Sequence, residues 1–214
     1  MNATLYLMRH GQTVLETPWR FLGQRELPLS NVGRVQAAWW REELSSVNFT
    51  GVWCSDLIRC LETTELLMKD RSEQAVKLPG LREISLGEWD GLSIEEVKRL
   101  YPGQYEARGA DLAGFHPPGG ESFEDLAQRA CKALERILSS NKDERPVNLL
   151  VVAHAGVNRA LLCRLLGMPL DRLFSLAQDP CCLNIVSIRD CGPVLSSLNV
   201  APALESPASL LQKR

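Results

Sequence analysis

Residues 147–153 read Val-Asn-Leu-Leu-Val-Val-Ala, an apolar run with one interruption, and the run ends at His154. A run of this length and composition predicts a strand buried on both faces, as in the parallel sheets of α/β proteins. A second short apolar run, residues 4–8, also leads into a histidine, His10. The sequence therefore predicts two buried strands that each end close to an imidazole.

Predicted strands and helices alternate along the rest of the chain. Further strands are expected over residues 51–54, 75–78, 183–188 and 194–200, and helices from Ser30, from Ser55 or Asp56 to about Lys69, and over residues 92–100, 122–139 and 156–167. Residues 103–120 contain several Gly and Pro and are expected to be irregular, as a lid over a site. This order favours an α/β fold, a three-layer α/β/α sandwich with a mostly parallel central sheet. We expect one domain over residues 1–200, with the lid at about 100–121 and a flexible tail at 201–214.

The composition excludes several classes of protein. The formal net charge is −2, which argues against a nucleic-acid partner or a polybasic membrane-surface protein. Apolar runs are too short to cross a bilayer, and the first residues do not predict a signal peptide. Seven cysteines without a Cys-x-x-Cys pair are typical of reduced thiols in a cytoplasmic protein and do not suggest a metal site.

Charged and polar residues follow the predicted strands. Arg9 and His10 come after the first strand, Arg59 after the second, Glu83 after the third and His154 after the strand at 147–153. In open α/β sheets, ligands bind beyond the carboxyl ends of the strands. We therefore expect these five side chains to meet at one edge of the sheet.

Such a group of side chains suits phosphoryl transfer. Guanidinium groups bind the non-bridging oxygens of a phosphoryl group in a bidentate way. A neutral imidazole can attack phosphorus, and a second imidazole, when protonated, can stabilise the equatorial oxygens. A carboxylic acid can protonate the leaving alkoxide and then, as carboxylate, accept a proton from water. This chemistry requires neither a metal nor a cofactor.

Five ordered blocks of sequence resemble the histidine phosphatase (phosphoglycerate mutase-like) superfamily. They are residues 7–13 (LMRHGQT), 23–30 (GQRELPLS), 55–59 (SDLIR), 81–91 (LREISLGEWDG) and 151–159 (VVAHAGVNR). The resemblance covers roughly residues 4–190 and implies an α/β/α sandwich that acts without a metal.

The resemblance also implies roles for single residues. His10 would be the phosphorylated nucleophile, Glu83 the proton donor, and Arg9, Arg59 and His154 the phosphate pocket. Gln12, Gly23 and Gln24, in the first two blocks, are predicted to bind substrate. The chain departs from the family pattern at Leu15-Glu16, where many members have Trp-Asn, at Gln12 in place of Glu, and at Ala155 in place of Gly. A carboxylate facing a phosphate would be repulsive, so we expect Glu16 to point elsewhere or to pair with Arg20.

Hydrolysis is favoured over isomerisation by the composition of the lid. Residues 100–120 carry one arginine, Arg108, against Glu106 and Asp111, which does not favour a second phosphate. The chain is similar to α-ribazole phosphatase-type members of the family. A broad-specificity phosphatase, a cofactor-dependent phosphoglycerate mutase and a non-catalytic phospho-ligand binding module remain alternatives. The expected partner is a small-molecule phosphomonoester, bound by a monomer or homodimer, and His116 is expected to be a lid residue near the site without a catalytic role.

Overall fold

The computed structural model describes residues 2–14, 20–140 and 147–204. Its strands are β1 (Ala3–Arg9), β2 (Gly51–Cys54), β3 (Ala75–Lys77), β4 (Val147–Ala153), β5 (Leu183–Arg189) and β6 (Gly192–Val200). They form a six-stranded sheet in the order β3-β2-β4-β1-β5-β6 within the described residues. β3, β2, β4 and β1 are parallel, whereas β5 is antiparallel to β1 and β6 to β5. The predicted mostly parallel sheet is confirmed.

Helices cover both faces of this sheet. They are α1 (Asn31–Glu43), α2 (Ile58–Met68), α3 (Ile94–Leu100), α4 (Gln104–Ala110), α5 (Phe123–Ser139) and α6 (Ala155–Leu166). Apolar residues of α1 and α2 share a buried cluster with Leu150 and Val152 of β4. Those of α5 and α6 share the opposite cluster with Leu149 and Val151. Alternate side chains of a strand point to opposite faces, so β4 contributes to both cores and the fold has the three predicted layers.

The pairing of β1 with β4 brings the two predicted histidines together. The strands are parallel and in register, with Arg9 opposite Ala153. The backbone N–H of His10 then donates to the carbonyl of Ala153 at 3.0 Å. His10 and His154 consequently leave the sheet side by side.

Serine caps open α1 and α5 as predicted, but the start of α2 differs from the prediction. Ser30 and Ser122 each accept a hydrogen bond from the first turn of their helix. The prediction of a Ser55 or Asp56 cap for α2 is wrong, because that helix begins at Ile58 with Leu57 as its N-cap. Tertiary partners occupy both side chains: Ser55 lies against His154, and Asp56 accepts two hydrogen bonds from Arg82.

The segment predicted to be irregular contains a helix, and that prediction is wrong. Gly103, with a φ of 78°, provides the left-handed turn after α3, and α4 follows at Gln104. Gly109 lies within α4 and does not end it. The single domain and the lid at 100–121 stay predictions. Glu16 and most of the predicted tail lie outside the described residues.

In the parts of the chain that the structure describes, none of the helices combines the length and the apolar character that a membrane span needs.

Candidate functional site

A cavity of about 430 Å³ opens at the carboxyl ends of the parallel strands. Arg9, His10, Arg59 and Glu83 line it. His154 is completely buried just behind this lining, with its ring centroid 5.2 Å from that of His10. The structure therefore brings together the five side chains that the strand ends predicted.

The His10 ring is arranged as a nucleophile. Its Nδ1 lies 2.8 Å from the carbonyl oxygen of Gly11. A carbonyl only accepts hydrogen bonds, so this contact assigns the proton to Nδ1 and leaves a lone pair on Nε2. Burial, reinforced by the positive charges of Arg9 and Arg59, holds the pKa of His10 well below its usual 6.5. The imidazole is therefore neutral at pH 7, as attack on phosphorus requires.

His154 is bound on both ring nitrogens. Nε of Arg59 donates to its Nδ1 at 3.2 Å, and its Nε2 lies 2.8 Å from Oγ of Ser55. Burial is the main cause that keeps its pKa well below the ordinary value, followed by Arg59, His10 and Arg9. The second imidazole is thus neutral in the free protein. In this state His154 orients Arg59, and the arginines supply the positive charge.

Backbone carbonyls fix the two arginines. Arg59 is 1% exposed, and it donates from Nη1 to the Arg25 carbonyl at 2.7 Å and from Nη2 to the Gly23 carbonyl at 2.8 Å. Each Nη carries two hydrogens, so each keeps one N–H for another acceptor. Arg9 donates from Nη1 to the Gln178 carbonyl at 2.6 Å. Two guanidinium groups with unused donors therefore stand beside His10.

Glu83 is held by backbone N–H groups. Its Oε1 accepts from Ile84 at 3.0 Å, and its Oε2 accepts from Gly156, in the first turn of α6, at 3.0 Å. A Cβ at Gly156 would lie only 2.3 Å from Oε1, so the carboxylate needs a glycine there. Sequence reasoning found Glu83 but missed Ile84 and Gly156, since nothing in the local pattern shows that their N–H groups face a side chain distant in sequence.

The other predicted binding residues lie outside the lining that the described residues form. The backbone N–H of Gln12 donates to Gln36, the carbonyl of Gly23 accepts from Arg59, and the side chain of Gln24 donates to the Glu83 carbonyl. Gly23 and Gln24 thus support cavity residues from behind.

Several lining residues were missed by the sequence analysis. They are Arg20, Tyr105, Arg159 and Phe174, among others, whereas the sequence analysis assigns Arg108 to the lid. Arg159 could have been found, because Ala155 also lines the cavity and a spacing of four places both residues on one face of α6. Phe174, in a 3₁₀ segment far along the chain, carries no such signal. His116 is exposed, bonds to Asp125 at 2.6 Å and is not part of the lining.

Among the described residues, no group of three or more His, Cys, Asp or Glu side chains is arranged to hold a metal ion.

Comparison with known proteins identifies the family. The model of the histidine phosphatase superfamily (branch 1) matches residues 5–201. The adenosylcobalamin/α-ribazole phosphatase of Escherichia coli K12 is 30% identical over 91% of this chain and 95% of its own length. The glucosyl-3-phosphoglycerate phosphatase of Mycolicibacterium vanbaalenii is 37% identical over 78% of this chain and 76% of its own.

Solved structures agree with these relatives. The crystal structure of the α-ribazole phosphatase from Shigella flexneri superposes with a TM-score of 0.84 at 29% identity, covering 95% of this chain and 100% of that one. The resemblance inferred from five sequence blocks is thereby confirmed. The chain belongs to the histidine phosphatase superfamily, branch 1, and is a phosphatase of that family.

Proposed function

We propose that this phosphatase hydrolyses small phosphomonoesters through a phosphohistidine formed at His10. The observation that carries the proposal is a neutral imidazole with a free Nε2, which lines a cavity together with two backbone-anchored guanidinium groups. Positioning and charge neutralisation are the main requirements of phosphoryl transfer. Arg9 and Arg59 meet both.

The proposed reaction has two steps. In the first, Nε2 of His10 bonds to phosphorus, the ester P–O bond breaks, and Glu83, entering as the acid, gives its proton to the departing alkoxide. The N–H groups of Ile84 and Gly156 receive the carboxylate that this step produces. In the second, the carboxylate takes a proton from water, the water oxygen bonds to phosphorus, and the N–P bond breaks to release phosphate.

The physiological ester is a separate matter from the reaction. α-Ribazole phosphate is one candidate, because α-ribazole phosphatases are among the relatives that cover most of the chain. The named substrates of other relatives, phosphoserine and glucosyl-3-phosphoglycerate, belong in the same panel. Conversion of 3-phosphoglycerate with and without 2,3-bisphosphoglycerate separates a mutase from a phosphatase, and robust isomerisation would contradict hydrolysis.

Substitution of His10 tests the mechanism. We expect His10→Ala to lower p-nitrophenyl phosphate hydrolysis by at least about 10³-fold, because no nucleophile replaces the imidazole. After mixing with radiolabelled substrate and quenching in base, the wild type should carry acid-labile phosphate and the variant none. His116→Ala is the matched control, since that histidine lies outside the lining. An unlabelled but active wild type, or an active His10→Ala, would contradict the proposal.

We also propose a cytoplasmic location and action as a monomer or homodimer, without a nucleic-acid partner. All seven cysteines are free, which suits a reducing compartment, and the net charge of −2 does not attract nucleic acid. Cell fractionation and sedimentation at micromolar concentration test these points. A membrane-bound or periplasmic fraction, or a higher oligomer, would contradict them.

A further inference from the structure

Phe174 sits between two arginines in the wall of the cavity. The guanidinium carbon of Arg108, on α4, lies 5.9 Å from the ring centroid, and that of Arg159, on α6, lies 5.2 Å from it. The ring of Phe123 meets Phe174 edge-on at 5.8 Å and supports it. Both arginines line the cavity. An aromatic ring thus gathers two cations from different helices at one place.

These two cations have no anionic partner among the described residues. Arg159 donates from Nε to the Leu176 carbonyl at 2.8 Å, which leaves the hydrogens of both its Nη atoms unused. Arg108 makes neither a hydrogen bond nor an ion pair in the same part of the chain. Arg20, also in the lining, differs because it is paired with Glu96 at 2.7 Å. Arg108 and Arg159 therefore present free donors to whatever enters the cavity.

Burial makes these charges costly in the free protein. Desolvation lowers the pKa of Arg108, and desolvation followed by the charge of Arg9 lowers that of Arg159. The charges of Arg9 and Glu83 act on Arg159 but not on Arg108, so Arg159 lies nearer to these two residues. A bound anion would relieve the cost at both arginines.

The charge balance of the lining indicates what kind of anion fits. The charged lining residues are Arg9, Arg20, Arg59, Arg108, Arg159 and Glu83. Glu96 neutralises Arg20, so four guanidinium groups face Glu83, and the cavity keeps a formal charge of +3 when Glu83 is ionised and +4 when it is the acid. A phosphoryl dianion neutralises two of these charges. At least one positive charge then remains, at Arg108 and Arg159, and the carboxylate of a substrate would neutralise it.

Resting on the proposed phosphatase activity, we propose that Arg108 and Arg159 form a second anion subsite, and that the enzyme prefers a phosphomonoester whose alcohol part carries a carboxylate over the matched ester without one. The sequence of the lid did not reveal this subsite by itself, because the second arginine of the subsite, Arg159, lies on α6. Guanidinium groups suit a carboxylate because their planar donors bind both of its oxygens. The phosphoryl group and the carboxylate would then occupy different parts of one cavity.

Matched esters test the proposal on the wild type. 3-Phosphoglycerate and glycerol 3-phosphate differ only by a carboxylate in place of a hydroxymethyl group, and phosphoserine differs from phosphoethanolamine only by its carboxylate. We expect kcat/KM to favour the carboxylate member of each pair by about 10-fold or more. Equal values within each pair would overturn the proposal. A larger preference for fructose 1,6-bisphosphate over fructose 6-phosphate would overturn the assignment to a carboxylate.

Single substitutions test which arginines cause the preference for the carboxylate ester. We expect Arg108→Met and Arg159→Met each to reduce the preference for the carboxylate ester to less than about threefold, while Arg172→Met keeps it. Arg172 is an exposed arginine of the same 3₁₀ segment as Phe174 and does not line the cavity. A preference that survives both substitutions would overturn the subsite. The wild-type comparison requires no substitution, so it decides the question even if a variant is unstable.

The outcomes separate this proposal from the proposed function. If the wild type releases phosphate from no ester, p-nitrophenyl phosphate included, the phosphatase mechanism fails. If it hydrolyses glycerol 3-phosphate and 3-phosphoglycerate equally well, the mechanism stands and only the subsite fails.

Discussion

Two parts of the cavity lining are built in different ways, and they are called here the inner end (Arg9, Arg59 and Glu83) and the outer end (Arg108 and Arg159). At the inner end, backbone carbonyls and N–H groups near the strand ends fix Arg9, Arg59 and Glu83. At the outer end, Arg108 and Arg159 rest against an aromatic ring and keep most of their donors unused. The inner end is therefore preorganised for a group that every phosphomonoester contains, whereas the outer end can adapt to the rest of the molecule.

The difference suggests how one fold serves several substrates. Rigid sheet edges place the reacting groups, and helices packed above them supply recognition. A substitution at the inner end should then affect all esters alike, and one at the outer end should change the choice among them. The following predictions test that division, from the largest expected effect to the smallest.

Among the changes that compare the two ends, the largest effect is expected for Arg59→Lys. A lysine keeps the charge but cannot donate to the Gly23 and Arg25 carbonyls, to His154 and to a phosphoryl group at once. We expect kcat/KM to fall by about 10²–10³-fold, equally for the carboxylate and neutral esters. Arg172→Lys is the control for a conservative change at an exposed site. A loss below tenfold, or one confined to carboxylate esters, would contradict the division.

The next effect is expected for Gly156→Ala. The added methyl group would lie 2.3 Å from Oε1 of Glu83, the end of a side chain that can move, so the carboxylate should shift while the fold remains. We expect kcat to fall about 10–10²-fold for alkyl esters, which need a proton donor. p-Nitrophenyl phosphate has a good leaving group that departs without being protonated, so its kcat should fall much less.

Gly109→Ala serves as the control for Gly156→Ala, because a Cβ at Gly109 meets nothing within 4 Å. Equal losses for alkyl esters and p-nitrophenyl phosphate would count against Glu83 as the proton donor.

A smaller effect is expected on stability as the pH falls. His10 and His154 have pKa values well below 6.5 in the folded protein, while unfolded imidazoles titrate near 6.5. Below about pH 6.5 the unfolded state therefore binds more protons, and the free energy of unfolding should fall by up to about 1.4 kcal/mol per pH unit for each histidine, until their lowered pKa values are passed.

Urea unfolding between pH 7.5 and 5.5 measures this dependence. His10→Asn should unfold with a shallower dependence on pH than the wild type. A wild-type stability that does not change across this range would show that the two rings are not held neutral by the fold.

The smallest effect is expected for Phe174→Leu. The substitution removes the ring that gathers Arg108 and Arg159 but leaves both charges in place. We expect the ratio of kcat/KM for 3-phosphoglycerate over glycerol 3-phosphate to fall about threefold, the size of a modest cation–π contact. A ratio equal to that of the wild type would show that the ring does not position the arginines.

The strands and the inner end of the cavity were largely predictable from the sequence, because short apolar runs and the polar residues that follow them are local signals. Residues 51–54 and 147–153 form strands with the predicted bounds, and His10, Arg59 and Glu83 meet as expected. The prediction failed where a tertiary contact overrides a local pattern. Ser55 bonds to His154 and does not cap α2, and α4 forms in a segment whose glycines predicted irregular structure.

The sequence by itself determined the layers of the fold and the chemistry at the strand ends, since hydrophobic periodicity and ordered motifs act over a few residues. Only the tertiary structure decided the protonation of His10 and His154, the donors that hold Glu83, and the meeting of Arg108, Arg159 and Phe174. These features depend on burial and on contacts between groups far apart along the chain. Neither burial nor such distances can be read from neighbouring residues.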